Sequence, residues 1–297
     1  MQQHGLTANV IAGAAIALAF AFTAQALNNR SFVATTGNDA NACTPSAYCR
    51  SFAAALAVTN PGGEIVVVNA GGYGPATINQ SVVITAIGVD ASITATSGNG
   101  LTINTTGNVT LNGLNLHGSG TANDGILVEQ VGFLRLYSML IENFVNNGIE
   151  VTAAGNLAIY DSKINDSGAY GLFLNNAPAD AYVNNTAFDH NTLAGALAFG
   201  AGILTIAKSA AHYSGVGFWA DSGGVLALES DRMIFNATGL QATNSGQISF
   251  TDCLVSDNTN SFIFESGGTI TGSSPGTTLA TPGQGSSGSL SSAATLQ

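Results

Sequence analysis

Positive charge is scarce in this chain. Its 297 residues carry six Lys and Arg against 17 Asp and Glu, a formal charge of -11, and only 8% of residues are charged. A surface of that sign repels nucleic acid, anionic membranes and uronate polymers at long range, so no nucleic-acid partner is expected. Long apolar runs are almost absent too. The one at residues 10–22 is too short to cross a bilayer comfortably and is followed by Ala24-Gln25-Ala26, so residues 1–26 read as a signal peptide whose cleavage leaves Leu27 first. No Lys or Arg precedes that run, and retention as an uncleaved anchor is the alternative. The mature chain is not expected to enter a membrane, and the expected location is secreted, periplasmic or cell-surface.

Cysteine is limited to three residues, none with zinc-ligand spacing. Cys43 and Cys49 bound a short loop and are expected to pair in an oxidising compartment, whereas Cys253 reads as a buried thiol in a strand. Phosphate-binding GxxxxGK[ST], HExxH and GGxGxD motifs are all missing.

What is present is a repeat. A Gly-hydrophobic pair recurs at Gly100/Leu101, Gly125/Ile126, Gly148/Ile149, Gly171/Leu172, Gly195/Ala196, Gly217/Phe218 and Gly239/Leu240, and Ser261/Phe262 continues it, at spacings of 22–25 residues. Within one period the apolar residues alternate in short runs, as in Ile149-Glu150-Val151, so each repeat reads as one three-stranded turn of a solenoid. Stacked turns bring equivalent residues ~4.8 Å apart in parallel strands. Residues 51–58, Ala-rich and opened by Ser51, predict a short helix capping the first coil.

Residues 51–84, SFAAALAVTNPGGEIVVVNAGGYGPATINQSVVI, and the later strings IENFVNNGIEV, INDSGAYGLFL and MIFNATGLQA resemble the capping helix and coils of the pectin lyase-like superfamily. The resemblance implies an all-β fold, a right-handed parallel β-helix of about nine coils of 22–25 residues with a short N-terminal capping helix. The expected organisation is a signal peptide at 1–26, an extension holding the Cys43/Cys49 loop at 27–50, the β-helix at 51–271 and a flexible Gly/Ser/Thr tail at 272–297. The same coils serve lyases, hydrolases, epimerases, tail fibres and adhesins, so the resemblance leaves activity open. The Asn-Thr-Asp, Asp-Asp, Gly-His-Gly and Arg-Ile-Lys strings of polygalacturonase-like hydrolases do not occur, and no basic groove for a polyanion is evident.

Candidate site residues come from aligning coils on Leu136, Ile159, Val183, Ile206, Leu228 and Phe250. Six and seven positions on, Glu142, Asp166, Asp189, His190, His212 and Tyr213 fall into one polar strip over four coils. Carboxylates with His suit acid-base work on a glycan, with Asp166, Asp189, His190 and His212 as catalytic candidates and Glu142 and Tyr213 as ligand contacts. The simpler reading of the strip is a hydrogen-bonded turn ladder. No motif demands a cofactor, although calcium is compatible with the carboxylates. Two positions after the same anchors, Asp161, Asn185 and Lys208 read as a solvated ladder, and Asp231-Arg232 as a surface ion pair. Trp219, adjacent to Phe218, is expected to face outward, where an indole stacks on a sugar ring. These features favour a secreted β-helix protein that recognises a polysaccharide or cell-surface glycan without strong catalysis. The alternatives are a polysaccharide lyase or glycoside hydrolase, and a structural surface or fibre element.

Overall fold

The computed structural model describes residues 27–273 and 278–279. The expected signal peptide and most of the expected tail lie outside the described residues. Ser51 opens helix α1 (Phe52–Val58), its hydroxyl accepting from the Ala54 amide, and Phe52, Ala55 and Leu56 point into the first coil. From there the chain winds as a parallel β-helix of three sheets with eleven, ten and nine strands. One coil shows the plan. Ile149–Val151 lies in the nine-stranded sheet, Gly155–Tyr160 in the eleven-stranded sheet and Lys163–Asn165 in the ten-stranded sheet, before Tyr170–Asn175 starts the next coil.

Pairing follows the expected register. Leu136, Ile159, Val183, Ile206, Leu228 and Phe250 are successive partners in the eleven-stranded sheet, and Ile126, Ile149, Leu172, Ala196, Phe218, Leu240 and Phe262 in the nine-stranded sheet. Both columns are buried and form two walls of the core. The third wall runs through Ile141, Ile164, Phe188, Ala211, Met233 and Val255. Two large rings sit beside small residues in these columns: Phe188 stacks on Ala211 and Phe218 on Ala196, and the two Phe rings meet edge-on at 5.9 Å. That interdigitation fills a narrow core without overpacking it.

The repeating Gly is required by space. Its φ is not left-handed, but a Cβ on Gly100, Gly125, Gly148, Gly171, Gly195 or Gly217 would lie under 3.0 Å from the carbonyl oxygen of the equivalent Gly in the next coil. At the two tighter corners the constraint is φ. Between the eleven- and ten-stranded sheets, Ser138, Asp161, Asn185, Lys208, Ser230 and Asp252 have φ of 49–59°. Between the ten- and nine-stranded sheets, Asn143, Asp166, His190, Tyr213, Phe235 and Asp257 have φ of 53–62°. Asp and Asn tolerate this region, which explains much of their enrichment in both columns.

Inside these corners most polar groups are satisfied from coil to coil, the buried Ser167 hydroxyl being an exception. Asn236 Nδ2 donates to the Ala211 carbonyl and to Asn258 Oδ1, Asn258 Nδ2 donates to the Met233 carbonyl, and Asn191 Nδ2 donates to the Ile164 carbonyl. A buried backbone carbonyl that would otherwise be orphaned is thereby paired. At the N-terminal end Cys43 and Cys49 form a disulfide, and strand Asn28–Val33 adds an eleventh strand beside Thr59–Val67.

The Gly column carries a direct test. In Gly171→Ala the new methyl meets the Gly195 carbonyl and the Phe188 ring, so unfolding in urea is expected to show a loss of about 1–3 kcal/mol. An unchanged midpoint would mean that the coils can separate freely at this column.

Candidate functional site

The polar strip exists as a register but divides into two structures. Within the ten-stranded sheet, Glu142, Asn165, Asp189 and His212 are successive partners, and His117 precedes them one coil earlier. Its ionisable members close into pairs. His212 Nδ1 meets Asp189 Oδ1 at 2.8 Å, and His117 Nδ1 meets Glu142 Oε1 at 2.9 Å. Asp166, His190 and Tyr213 sit instead in the left-handed corner. There the His190 ring stacks on Tyr213 at 5.0 Å and Tyr213 on Phe235 at 5.3 Å, with interplanar angles of 17° and 13°. The stacking offsets part of the roughly 1–2 kcal/mol that a bulky residue pays in that backbone region. An open depression of about 460 Å³ lies beside Asn143, Asp166, His190 and Thr192. Among the described residues no three His, Cys, Asp or Glu side chains converge to hold a metal ion.

The second column is a ladder with one exception. Asn185 Nδ2 donates to Asp161 Oδ1 at 2.6 Å on the outside. One residue further in, Ser162, Thr186 and Ser209 each return a hydroxyl to the carbonyl two residues before. Asp231 occupies the next rung. It is 1% exposed, not half of a surface ion pair with Arg232, and accepts from the backbone amides of Ser209 and Glu229. Burial pushes its carboxyl up to about 7, against those two hydrogen bonds. Cys253 follows in the ladder, buried as expected, with its thiol pushed up to about 12 chiefly by burial. A thiol so protonated is a poor nucleophile.

Trp219 belongs to a different face. It points outward from the nine-stranded sheet, in the column Glu150, Phe173, Leu197, Trp219 and Gln241. Tyr170 packs against Phe173 at 4.7 Å and against Trp219 at 6.5 Å, and Phe173 lies 6.3 Å from Phe199. Interplanar angles of 41–68° make these contacts tilted or edge-on, so no two of these rings are stacked face to face. Leu197 beneath them is 2% exposed although it points outward. Trp219 Nε1 donates to Thr243 Oγ1 at 2.9 Å, and that hydroxyl donates to Asp221 Oδ1 at 2.9 Å, which fixes the indole. At the other end Glu150 accepts from Asn147 and Asn175, and the buried Asp124 accepts from Asn147. Burial raises the Asp124 carboxyl, with the Glu150 charge adding to it. Burial and then the Asp221 charge raise the Tyr170 phenol.

Of the residues singled out in the sequence, Asp189 and His212 are brought into contact, as are His190 and Tyr213. Glu142 turns away to His117, and Trp219 lies on another sheet. The partners of Trp219 are found in the sequence by counting two and four positions past each repeating Gly, which places Glu150, Phe173, Phe199 and Asp221 on one surface.

Residues 147–278 match the family described as right handed beta helix region. The class so defined is the right-handed parallel β-helix. Among solved structures, pectate lyase Pel9A superposes with a TM-score of 0.66 at 15% identity, over 89% of this chain and 80% of that one. An alginate lyase from Paenibacillus sp. str. FPU-7 gives 0.65 at 15% identity, over 89% and 100%. The A-module of the mannuronan C-5 epimerase AlgE6 from Azotobacter vinelandii gives 0.53 at 12%, over 73% and 80%. These likenesses bear out the pectin lyase-like resemblance at the level of the fold. No curated protein sequence matches this chain.

Asp231 makes stability depend on pH. Its carboxyl is raised in the folded chain, so folding favours the protonated form. The stabilisation is full below about pH 4, where both states are protonated, and is lost as pH rises through about 7. Asp231→Ser, matching Ser209 one coil earlier, is expected to remove most of the fall in Tm between pH 5 and 8, while an equally steep fall in the variant would assign it to another group.

Proposed function

We propose that this chain is an exported β-helix protein that recognises polysaccharide or a cell-surface glycan through the outer face of its nine-stranded sheet, without strong catalysis. The carrying observation is the cluster of Tyr170, Phe173, Phe199 and Trp219 between Glu150 and Asp221. Aromatic faces bind the C–H faces of sugar rings, and carboxylates and amides at their rim accept and donate to hydroxyls. Export is supported by residues 1–26 and by the Cys43–Cys49 disulfide. A carbohydrate-related role is further supported by the pectate lyase and alginate lyase that share the fold.

The geometry of the carboxylates argues against glycosidase chemistry on this face. Glu150 and Asp221 are three coils apart, about 14 Å at the strand spacing, whereas paired catalytic carboxylates stand roughly 5–9.5 Å apart. One observation favours the enzyme reading elsewhere. Asp189 on His212 Nδ1 would orient the ring and leave Nε2 to move a proton, with Asp166 and His190 in the neighbouring corner.

Purified protein tested on a glycan array and in a depolymerisation assay separates the two. The expected result is glycan binding that Trp219→Ala weakens about tenfold or more, with no product released. Product release abolished by His212→Ala would transfer the assignment to the strip, and binding undiminished in Trp219→Ala would move the site to another face.

A further inference from the structure

We infer that the aromatic face of the nine-stranded sheet takes an uncharged sugar chain and rejects uronate polymers. The inference rests on the polysaccharide reading above and adds the class of ligand. All six cationic side chains lie elsewhere. Arg30 and Arg135 are in the eleven-stranded sheet, Lys163 and Arg232 in the ten-stranded sheet, Arg50 precedes helix α1, and Lys208 occupies a corner between the eleven- and ten-stranded sheets. Arg135, which would otherwise suit a carboxylate, lies over the Phe133 ring at 3.7 Å on its own sheet.

The ionisable groups bordering the rings are all acids. Asp221 borders Trp219 and Phe199, Glu150 borders Phe173, and Asp124 is buried behind Asn147. A polyuronate laid along this face would bring a carboxylate to each of these charges with no guanidinium or ammonium to meet it. Like charges at such range are repulsive, most strongly at low salt. A bridging cation does not rescue the contact. Calcium takes six to eight oxygens, and no three acidic or His side chains converge among the described residues. Glu150 already accepts from Asn147 and Asn175, and Asp221 from Thr243 and Asn244.

A neutral chain meets none of these costs. Its hydroxyls donate to the carboxylates and exchange hydrogen bonds with Asn175 and Gln241 at the rim, while its apolar ring faces cover Trp219 and Phe173. The spacing fits an extended ligand, because the rings lie on three successive coils ~4.8 Å apart, Tyr170 and Phe173 on the first, Phe199 on the second and Trp219 on the third.

The test is calorimetric titration of the full chain with cellohexaose, xylohexaose and mannohexaose against hexagalacturonate and hexamannuronate, each with calcium and with EDTA, at low and high salt. At least one neutral hexasaccharide is expected to bind with an affinity insensitive to salt, reduced about tenfold or more in Trp219→Ala, with the uronates unbound at low salt. Tyr170→Ala, at the rim of the cluster, is the second variant should Trp219→Ala lose its native circular dichroism. Uronate binding at low salt that Trp219→Ala abolishes, with or without calcium, would overturn the uncharged-ligand inference and leave the glycan face standing. Binding of none of the five sugars, or neutral binding that both variants retain, would overturn the glycan face and the inference together.

Discussion

The structure depends on how closely one coil can lie on the next. Strands in neighbouring coils must approach to hydrogen-bonding distance along three sheets at once, and at the head of the nine-stranded sheet that approach leaves no room for a Cβ against the carbonyl of the next coil. Gly at this point serves contact rather than torsion, and its recurrence keeps the coils parallel. Every other column inherits its alignment from it. The large and small core residues interdigitate only because Phe188 falls over Ala211 and Phe218 under Ala196, and the Asn and Ser ladders close only because each donor meets a carbonyl one coil away.

The same constraint decides which side chains the surface can display. Two of the three corners are made by one left-handed residue each, and at both the side chain is thrown outward from the coil. Asn and Asp fill half of these positions at little cost, so acidic and amide columns arise there without any ligand to bind. The stacked His190, Tyr213 and Phe235 are the departure from that rule. Their rings cover one another's faces, which stabilises the corner and leaves less of each ring for a sugar. The tilted rings around Trp219 are the reverse case, standing on extended backbone where no left-handed torsion has to be offset.

Legibility in the sequence followed the regularity of these constraints. The single-residue corner between the eleven- and ten-stranded sheets keeps its length from coil to coil, so counting from Leu136 carried the Asp189–His212 pairing through correctly. The same count reached Glu142 without its partner, since His117 lies in the coil before the alignment began. Asp231 read as a surface charge because composition alone does not distinguish an outward turn residue from its inward neighbour. Its place among Ser162, Thr186, Ser209 and Cys253, all small and weakly polar, was the available signal. Trp219 appeared isolated for a similar reason. The rings that share its face, Tyr170, Phe173 and Phe199, are 20 to 49 residues away in sequence and come together with it only when the nine-stranded sheet is taken as its own register.

Solenoid packing separates stability from specificity more completely than a globular core does. Inward columns and corners are constrained by stacking, whereas outward positions on the strands are free to vary one coil at a time. Chemistry that accumulates there in several successive coils therefore carries more information about a ligand than chemistry in the corners. On the nine-stranded sheet that accumulation is four aromatic rings with acids at their border and no cation. The eleven-stranded face also carries aromatics, but Tyr137 and Tyr160 stack at 9° and Phe133 is covered by Arg135, so its rings are partly occupied by one another and by a charge. The two faces share a fold and a repeat, and they differ in how many ring faces remain for something outside the protein.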